Sequence, residues 1–164
     1  MKEYLELPAG TAHRLINHGP VVLVATRSAD GRYDIAPVAW NCPAGKDPAR
    51  LLVVVGRTHR THRNIVETGR FIVCVPHADQ VDMVLAAGSV SGADADTYAE
   101  CEIAAFPGGQ VDALVPDGCV GYIECALDAT HALEAADIFV GTVLRHAADP
   151  AAFDGRLMTE TAAG

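Results

Sequence analysis

Apolar residues recur along the chain in short blocks separated by polar, glycine and proline positions. Val21-Val22-Leu23-Val24-Ala25-Thr26 is rich in β-branched residues, which suit a pleated sheet. Ser28-Ala29-Asp30-Gly31-Arg32 follows. Its Asp-Gly pair marks a turn, because glycine accepts a positive φ. Asp34 to Trp40 then reads as a second strand, so the pattern predicts an antiparallel hairpin over 21–40. Pro37 within it has no N–H for a ladder, and its nitrogen side is expected at an edge or against a ligand. The unbroken apolar run Leu51 to Val55 predicts a strand buried on both faces. Phe71 to Val75, ended by Pro76, predicts another. Further strands are expected at 120–127, with Ile123, Cys125 and Leu127 on one face, and at 138–144.

Between these blocks the spacing turns helical. Short helices are expected at 11–18, at 61–68 with Gly69 as the stop, and at 79–87 with Val81, Val84 and Leu85 on one side. Residues 94–105 read as helical or irregular, and 41–50 and 106–118 as loops. The small, polar stretch after Asp149 is expected to be loosely held or to reach a partner subunit. There is no internal repeat and no dividing linker, so 1–164 reads as a single domain. About six strands, an opening hairpin and short helical insertions point to a mostly β antiparallel barrel rather than a parallel doubly wound sheet.

Charge narrows the partners. The 164 residues carry a net charge of −9. A surface of that sign repels nucleic acid and anionic membranes, so neither is expected as a partner. No apolar run approaches the roughly 18 residues needed to cross a bilayer, and Met1 to Pro8 lacks an apolar signal core. The five cysteines, at 42, 74, 101, 119 and 125, are odd in number and form no Cys-x-x-Cys pair. A disulfide framework is therefore not expected, and a cytoplasmic, reducing setting is. Cys74, Cys119 and Cys125 lie in apolar runs and are expected in the core.

The chemistry concentrates in Gly56-Arg57-Thr58-His59-Arg60-Thr61-His62-Arg63-Asn64. Three arginines and two histidines fall within seven residues of a chain that has only 12 Lys plus Arg. The cluster follows a strand and opens a helix, whose first N–H groups and positive dipole end favour an anion. With Arg and Thr donors this suits a phosphate. The same residues also read as a solvated basic patch, with Thr58 or Thr61 as a helix cap. His59-x-x-His62 lacks the further ligands a zinc site needs, and no metal is expected. Neither common glycine-rich phosphate loop nor a Gly-x-Ser-x-Gly elbow is present. Asp30, Asp34, the acids at 94, 96, 100 and 102, His131 and His146 read as surface groups rather than catalytic ones. Pro37-Val38-Ala39-Trp40-Asn41-Cys42 holds the single tryptophan. Its small residues and ring suit the edge of a flat ligand, although Trp40 also suits a core or a dimer interface.

Thr61-x-x-Asn64-Ile65 followed by Gly69-x-Phe71-x-Val73-x-Val75-Pro76 resembles a signature of the flavin reductase-like family, the FMN-binding split barrels that include flavoredoxins. Asp30-Gly31 with Ile35 to Trp40, Asp47-Pro48, Ile123-Glu124-Cys125 and Ile138-Phe139-Val140-Gly141-x-Val143 resemble other strands of that family, over about 20–145. The resemblance implies a six-stranded antiparallel Greek-key split barrel with helical additions, and a homodimer with flavin near the subunit interface. It implies that Arg60, Thr61 and nearby backbone hold the phosphate and that residues 37–42 line the ring. Gly56, Arg57, His59 and Asn64 complete the expected cofactor-binding set. FMN is the implied cofactor, with FAD as the larger alternative. The implied activities are an NAD(P)H-dependent flavin reductase serving a monooxygenase, an electron-transfer flavoprotein fed by a protein donor, or a flavin-binding module without turnover. The chain departs from the family at Ala39, where Ser is common, and at Ala135-Ala136, where reductases often carry Asp-His. It also departs at Asp96-Thr97-Tyr98, in place of Asp-Lys-Phe.

Overall fold

The computed structural model describes residues 20–90 and 96–152. The helix expected at 11–18 and most of the polar tail lie outside them. The opening hairpin forms as its turn chemistry dictates. Strands β1 (Val22–Arg27) and β2 (Tyr33–Val38) pair antiparallel, with Val22 opposite Val38 and Arg27 opposite Tyr33. Gly31 takes φ 94° in the turn, a conformation that a Cβ would strain.

Strands β3 (Asn41–Lys46), β4 (Ala49–Gly56), β5 (Arg70–Val75), β8 (Gly121–Ala132) and β9 (Ala136–Ala148) complete a seven-stranded sheet in the order β2-β1-β5-β8-β9-β4-β3. All its pairings are antiparallel. The expected count of six strands is corrected by β3, which occupies the supposed loop at 41–50. Its residues after Asn41 are all exposed, and its register shifts between Pro43 and Gly45. An exposed, bulged edge strand leaves no alternating apolar pattern to read. Pro37 lies on β2, the opposite terminal strand, as its missing N–H requires.

Helix α1 (Arg60–Thr68) ends at Gly69, which adopts the left-handed conformation (φ 63°, ψ 22°) and donates its N–H to the Ile65 carbonyl at 2.9 Å. Helix α2 (Val81–Ser89) follows a single 3₁₀ turn at Ala78–Gln80, and α3 (Thr97–Glu100) is one turn capped by the Asp96 side chain. The supposed loop 106–118 contains a second, two-stranded sheet of β6 (Ala105–Pro107) and β7 (Leu114–Pro116).

Two cores share β5. Phe71 and Val73 face one cluster with Val24, Val38, Val53, Ile65, Cys125 and Phe139, against which Ile123 and Leu127 also pack. Ile72 and Cys74 face a second cluster with Leu23, Ile35, Tyr98, Val111 and Val115. The strand expected to be buried on both faces was β4. Only Leu51, Val53 and Val55 point inward there, while Leu52 and Val54 are half-buried. On α2 the inward residues are Met83, Val84 and Ala87, whereas Val81 and Leu85 of the expected face are exposed. The core cysteines behave as expected. Cys74 and Cys125 are buried, Cys119 packs against the second cluster, and all five thiols are free.

The loop between β6 and β7 is held by Glu124, which the strand motif Ile123-Glu124-Cys125 contains but gives no such role. Glu124 on β8 is fully buried. Its carboxylate accepts the backbone N–H groups of Gly109 (3.1 Å), Gln110 (2.6 Å) and Val111 (2.7 Å), and Arg145 lies 3.4 Å away. A buried carboxylate is stable only when its lone pairs are filled in this way.

Candidate functional site

Strand β4 ends at Gly56, the chain turns through Arg57 and Thr58, and α1 begins. Around that turn lie two adjoining cavities that share Ala36, Pro37, His59 and Thr61 in their walls. The first, about 340 Å³, lies between β2, the α1 N-terminus and Ala87 to Val90 at the end of α2. The second, about 390 Å³, is bounded by Pro37 to Trp40, by Val54 to Gly56 and by Ala135-Ala136. Each has the scale of a small-molecule or cofactor site.

The first cavity is the charged end. Arg60 lines it and is almost fully buried. The first turn of α1 contains no acidic residue and opens on His59, whose side chain makes no capping bond, so neither Thr58 nor Thr61 is the cap. The N–H groups of a first helical turn have no intrahelical acceptor and attract an anion. Thr61 is placed differently from its expected role. Its hydroxyl donates to Asp34 Oδ2 at 2.8 Å, so its one proton is committed. Asp34 itself is buried in the wall, not on the surface as expected. Arg60 and the start of α1 line the same cavity as this Thr61–Asp34 pair.

The second cavity is the apolar end. Its walls are Pro37, Val38, Val54 and Val55 with small residues between, and Trp40 stands half-exposed at its rim. Gly56 is required for space rather than for φ. A Cβ there would stand 2.8 Å from His59 Cδ2 and 3.2 Å from Nε2, so the imidazole rests on the bare glycine. His59 thereby lines both cavities.

Other expected site residues are engaged elsewhere. Arg57 binds Asp137 through Nη2 (2.7 Å) and Nε (3.1 Å), both to Oδ1. His62 Nε2 meets Asp137 Oδ2 at 2.7 Å, with its ring 5.0 Å from that of Phe139. Its partner is thus Asp137, whereas His59 faces the cavities. The Arg57 hydrogen bonds, then that of His62, hold the Asp137 carboxyl below the ordinary carboxylate value, against the opposing effect of burial. Asn64 is buried behind the site and donates to Thr26 Oγ1 at 2.9 Å. Asn41 donates to the Pro20 and Val38 carbonyls, and Cys42 lies exposed on β3. Neither is in the wall of either of these two cavities. Asp137 went unread because a lone acid at a strand start carries no pattern, although Arg57 and His62 already stood among the candidates. His131 and His146 are exposed, as expected.

Fold and site together define a mostly β protein with a two-part cavity, charged at a helix N-terminus and apolar at a strand end. The chain matches the flavin reductase like domain over residues 14–161, and it belongs to that family. It is 34% identical over 161 residues to the uncharacterized protein YddH of Escherichia coli (strain K12), covering 95% of this chain and 85% of that protein. Among solved structures it resembles the FMN-binding domain of a flavin reductases-like enzyme from Shewanella baltica OS155, with TM-score 0.76 and 28% identity over 93% of this chain and 81% of that one. It shares the fold of flavoredoxin from Methanosarcina acetivorans, with TM-score 0.81 and 23% identity over 93% and 78% of the two chains. No described helix is long and apolar enough to cross a membrane.

Proposed function

We propose that the protein binds FMN across the two cavities and acts as a flavin-dependent oxidoreductase. The observation that carries this reading is the continuity of the cavities through His59 and Thr61, with buried Arg60 at one end and the Pro37–Trp40 wall at the other. The donor set fits the cofactor. Arg60 and the α1 N–H groups suit a terminal phosphate. The apolar wall suits a flat ring system. When bound, a flavin supplies hydride and single-electron chemistry. The chain's residues bind it, orient it and keep water from the apolar end, so no catalytic base is required of them.

Family membership supports electron transfer from NAD(P)H to the flavin, for use by a partner such as a monooxygenase. A second reading, an electron-transfer flavoprotein fed by a protein donor, is favoured by Ala135-Ala136. These small apolar residues line the cavity at the place where the resemblance implies an Asp-His pair. We infer a homodimer from the outer face of the sheet. There Leu52 pairs with Val140 and Val54 with Ile138, and none of the four is fully buried. Closure as a Greek-key split barrel is supported by β2 and β4 sharing one core, through Val38 and Val53. The free cysteines accord with a reducing, cytoplasmic setting.

The test is FMN titration followed by flavin fluorescence, with Arg60→Ala beside the parent. Loss of a charge-assisted phosphate contact, about 1.5–3 kcal/mol, weakens binding roughly ten- to hundredfold. Equal affinity of the two proteins overturns the phosphate assignment, and no uptake of FMN overturns the function. Anaerobic NADH that bleaches the bound flavin supports the reductase reading. Flavin that stays oxidised supports the protein-donor reading.

A further inference from the structure

We propose that the apolar cavity, at its Ala135-Ala136 wall, also takes a small, uncharged, planar organic compound as the reactant that meets the flavin, whichever donor reduces that flavin. The inference rests on the FMN reading above and deepens it. Among the described residues no Asp, Glu, Lys or Arg side chain is in the cavity wall, and His59 at the junction is the one ionisable residue. Of the two arginines adjacent in sequence to wall residues, Arg57 is drawn away by two bonds to Asp137, with His62 on the same carboxylate, and Arg60 lines the other cavity and not this one. A carboxylate or phosphate brought to the Ala135-Ala136 wall would lose hydration and meet no charged side chain there, which costs far more than burying a neutral group. The net charge of −9 adds long-range repulsion of the same sign.

Shape selects within the neutral class. Ala36, Ala39, Gly56, Ala135 and Ala136 are the small residues of a cavity of about 390 Å³. The Pro37 ring and the half-exposed Trp40 indole, proposed above for the flavin ring, line the same cavity as these small residues. Open space beside flat apolar surfaces receives an aromatic or conjugated carbonyl compound better than a branched or strongly hydrated one. The two ends of the site thus divide their chemistry, anionic phosphate at α1 and neutral ring at β9.

A matched pair of probes tests this on the FMN-loaded protein. Titrations with 2-acetylnaphthalene and with 2-naphthoate, nearly equal in shape and different in charge, are followed by the visible difference spectrum of the bound flavin. The ketone is expected to bind at least about tenfold more tightly than the carboxylate. Ala135→Lys, with FMN retention checked by co-elution, supplies the missing cation and is expected to tighten 2-naphthoate roughly tenfold. Equal affinity for both probes overturns the proposal. So does a flavin spectrum that neither probe perturbs, or a lysine variant that leaves 2-naphthoate binding unchanged. FMN that never binds overturns the functional reading first, and this inference with it.

Discussion

Glu124 offers the sharpest energetic test of the fold. Replacement by Gln keeps size and shape but leaves one acceptor oxygen where the carboxylate had two. If that oxygen takes the Oε2 position it still receives the Gln110 and Val111 N–H groups, at present 2.6 and 2.7 Å away. The new NH2 then faces the Gly109 N–H, which donates to Oε1 at 3.1 Å, so one charge-assisted bond is replaced by donor against donor. Bonds to charged groups contribute about 1.5–3 kcal/mol each, and an orphaned buried donor costs on the order of 1–3. Glu124→Gln should therefore lose about 2–3 kcal/mol, or roughly 4–12 °C in Tm for a chain of this length. Glu124→Leu strips all three N–H groups and should lose about 3–5 kcal/mol. Arg145→Ala should lose less than about 1 kcal/mol, because that guanidinium is half-exposed and 3.4 Å from its partner. Urea unfolding at fixed protein concentration measures all three. The order Leu, then Gln, then the arginine variant is required. A Glu124→Leu protein within about 0.5 kcal/mol of the parent, the spread typical of neutral surface changes, would refute the clamp. FMN affinity of the folded variants should not change, since Glu124 lines neither cavity.

Three further outcomes are expected. The stability contributed by the Asp137 cluster should be complete above the ordinary carboxylate range of about 4 and fade as pH falls through the lowered value. Asp137→Asn should accordingly flatten the acid loss of urea midpoints between pH 7 and 3, and an unchanged slope would refute the pairing. Gly56→Ala should displace the His59 ring at an overpacking cost of about 1–2 kcal/mol. The cost should be shared between Tm and FMN affinity, and a variant that leaves both unchanged shows that the ring does not rest there. Burial pushes the Cys119 and Cys125 thiols up to about 12 and raises that of Cys74 as well. A disulfide reagent at neutral pH should therefore label exposed Cys42 first and reach Cys74 and Cys125 only after unfolding.

Much of the strand framework is legible because its signals are local. The Asp30-Gly31 turn, the Gly69 stop and the apolar runs at 51–55 and 71–75 each act through their own backbone or their own burial. What escaped is set by partners distant in the chain. Strand β3 is exposed, made mostly of small residues and proline, and held by β4, so its residues carry no sign of pairing. Whether β4 or β5 is buried on both faces depends on which strand the second layer covers, and two apolar runs look alike until that layer is placed. At the site, residue types gave the cationic helix start and the Pro37–Trp40 wall. Direction is what they could not give. Arg57 and His62 turn toward Asp137, some 75 residues or more along the chain. The Thr61 proton turns toward Asp34, 27 residues back. A cluster of charges in sequence becomes a site only where its members line a cavity, as His59 and Arg60 do here.

The placement of the prolines bears on how such a sheet stays solitary. A sheet with two terminal strands presents two templates on which a neighbouring molecule can add a strand and start a fibre. Here β2 and β3 are those strands, and each carries a proline, Pro37 and Pro43, where an amide would otherwise be offered. Pro43 adds a break in register before Gly45, and Lys46 closes the same strand with a charge. Pro37 is further covered by α2, whose Gly88 would bring a Cβ to 3.1 Å from the proline ring. The residue that shapes a cavity wall is thus also a guard against aggregation, so a substitution there trades solubility as well as binding.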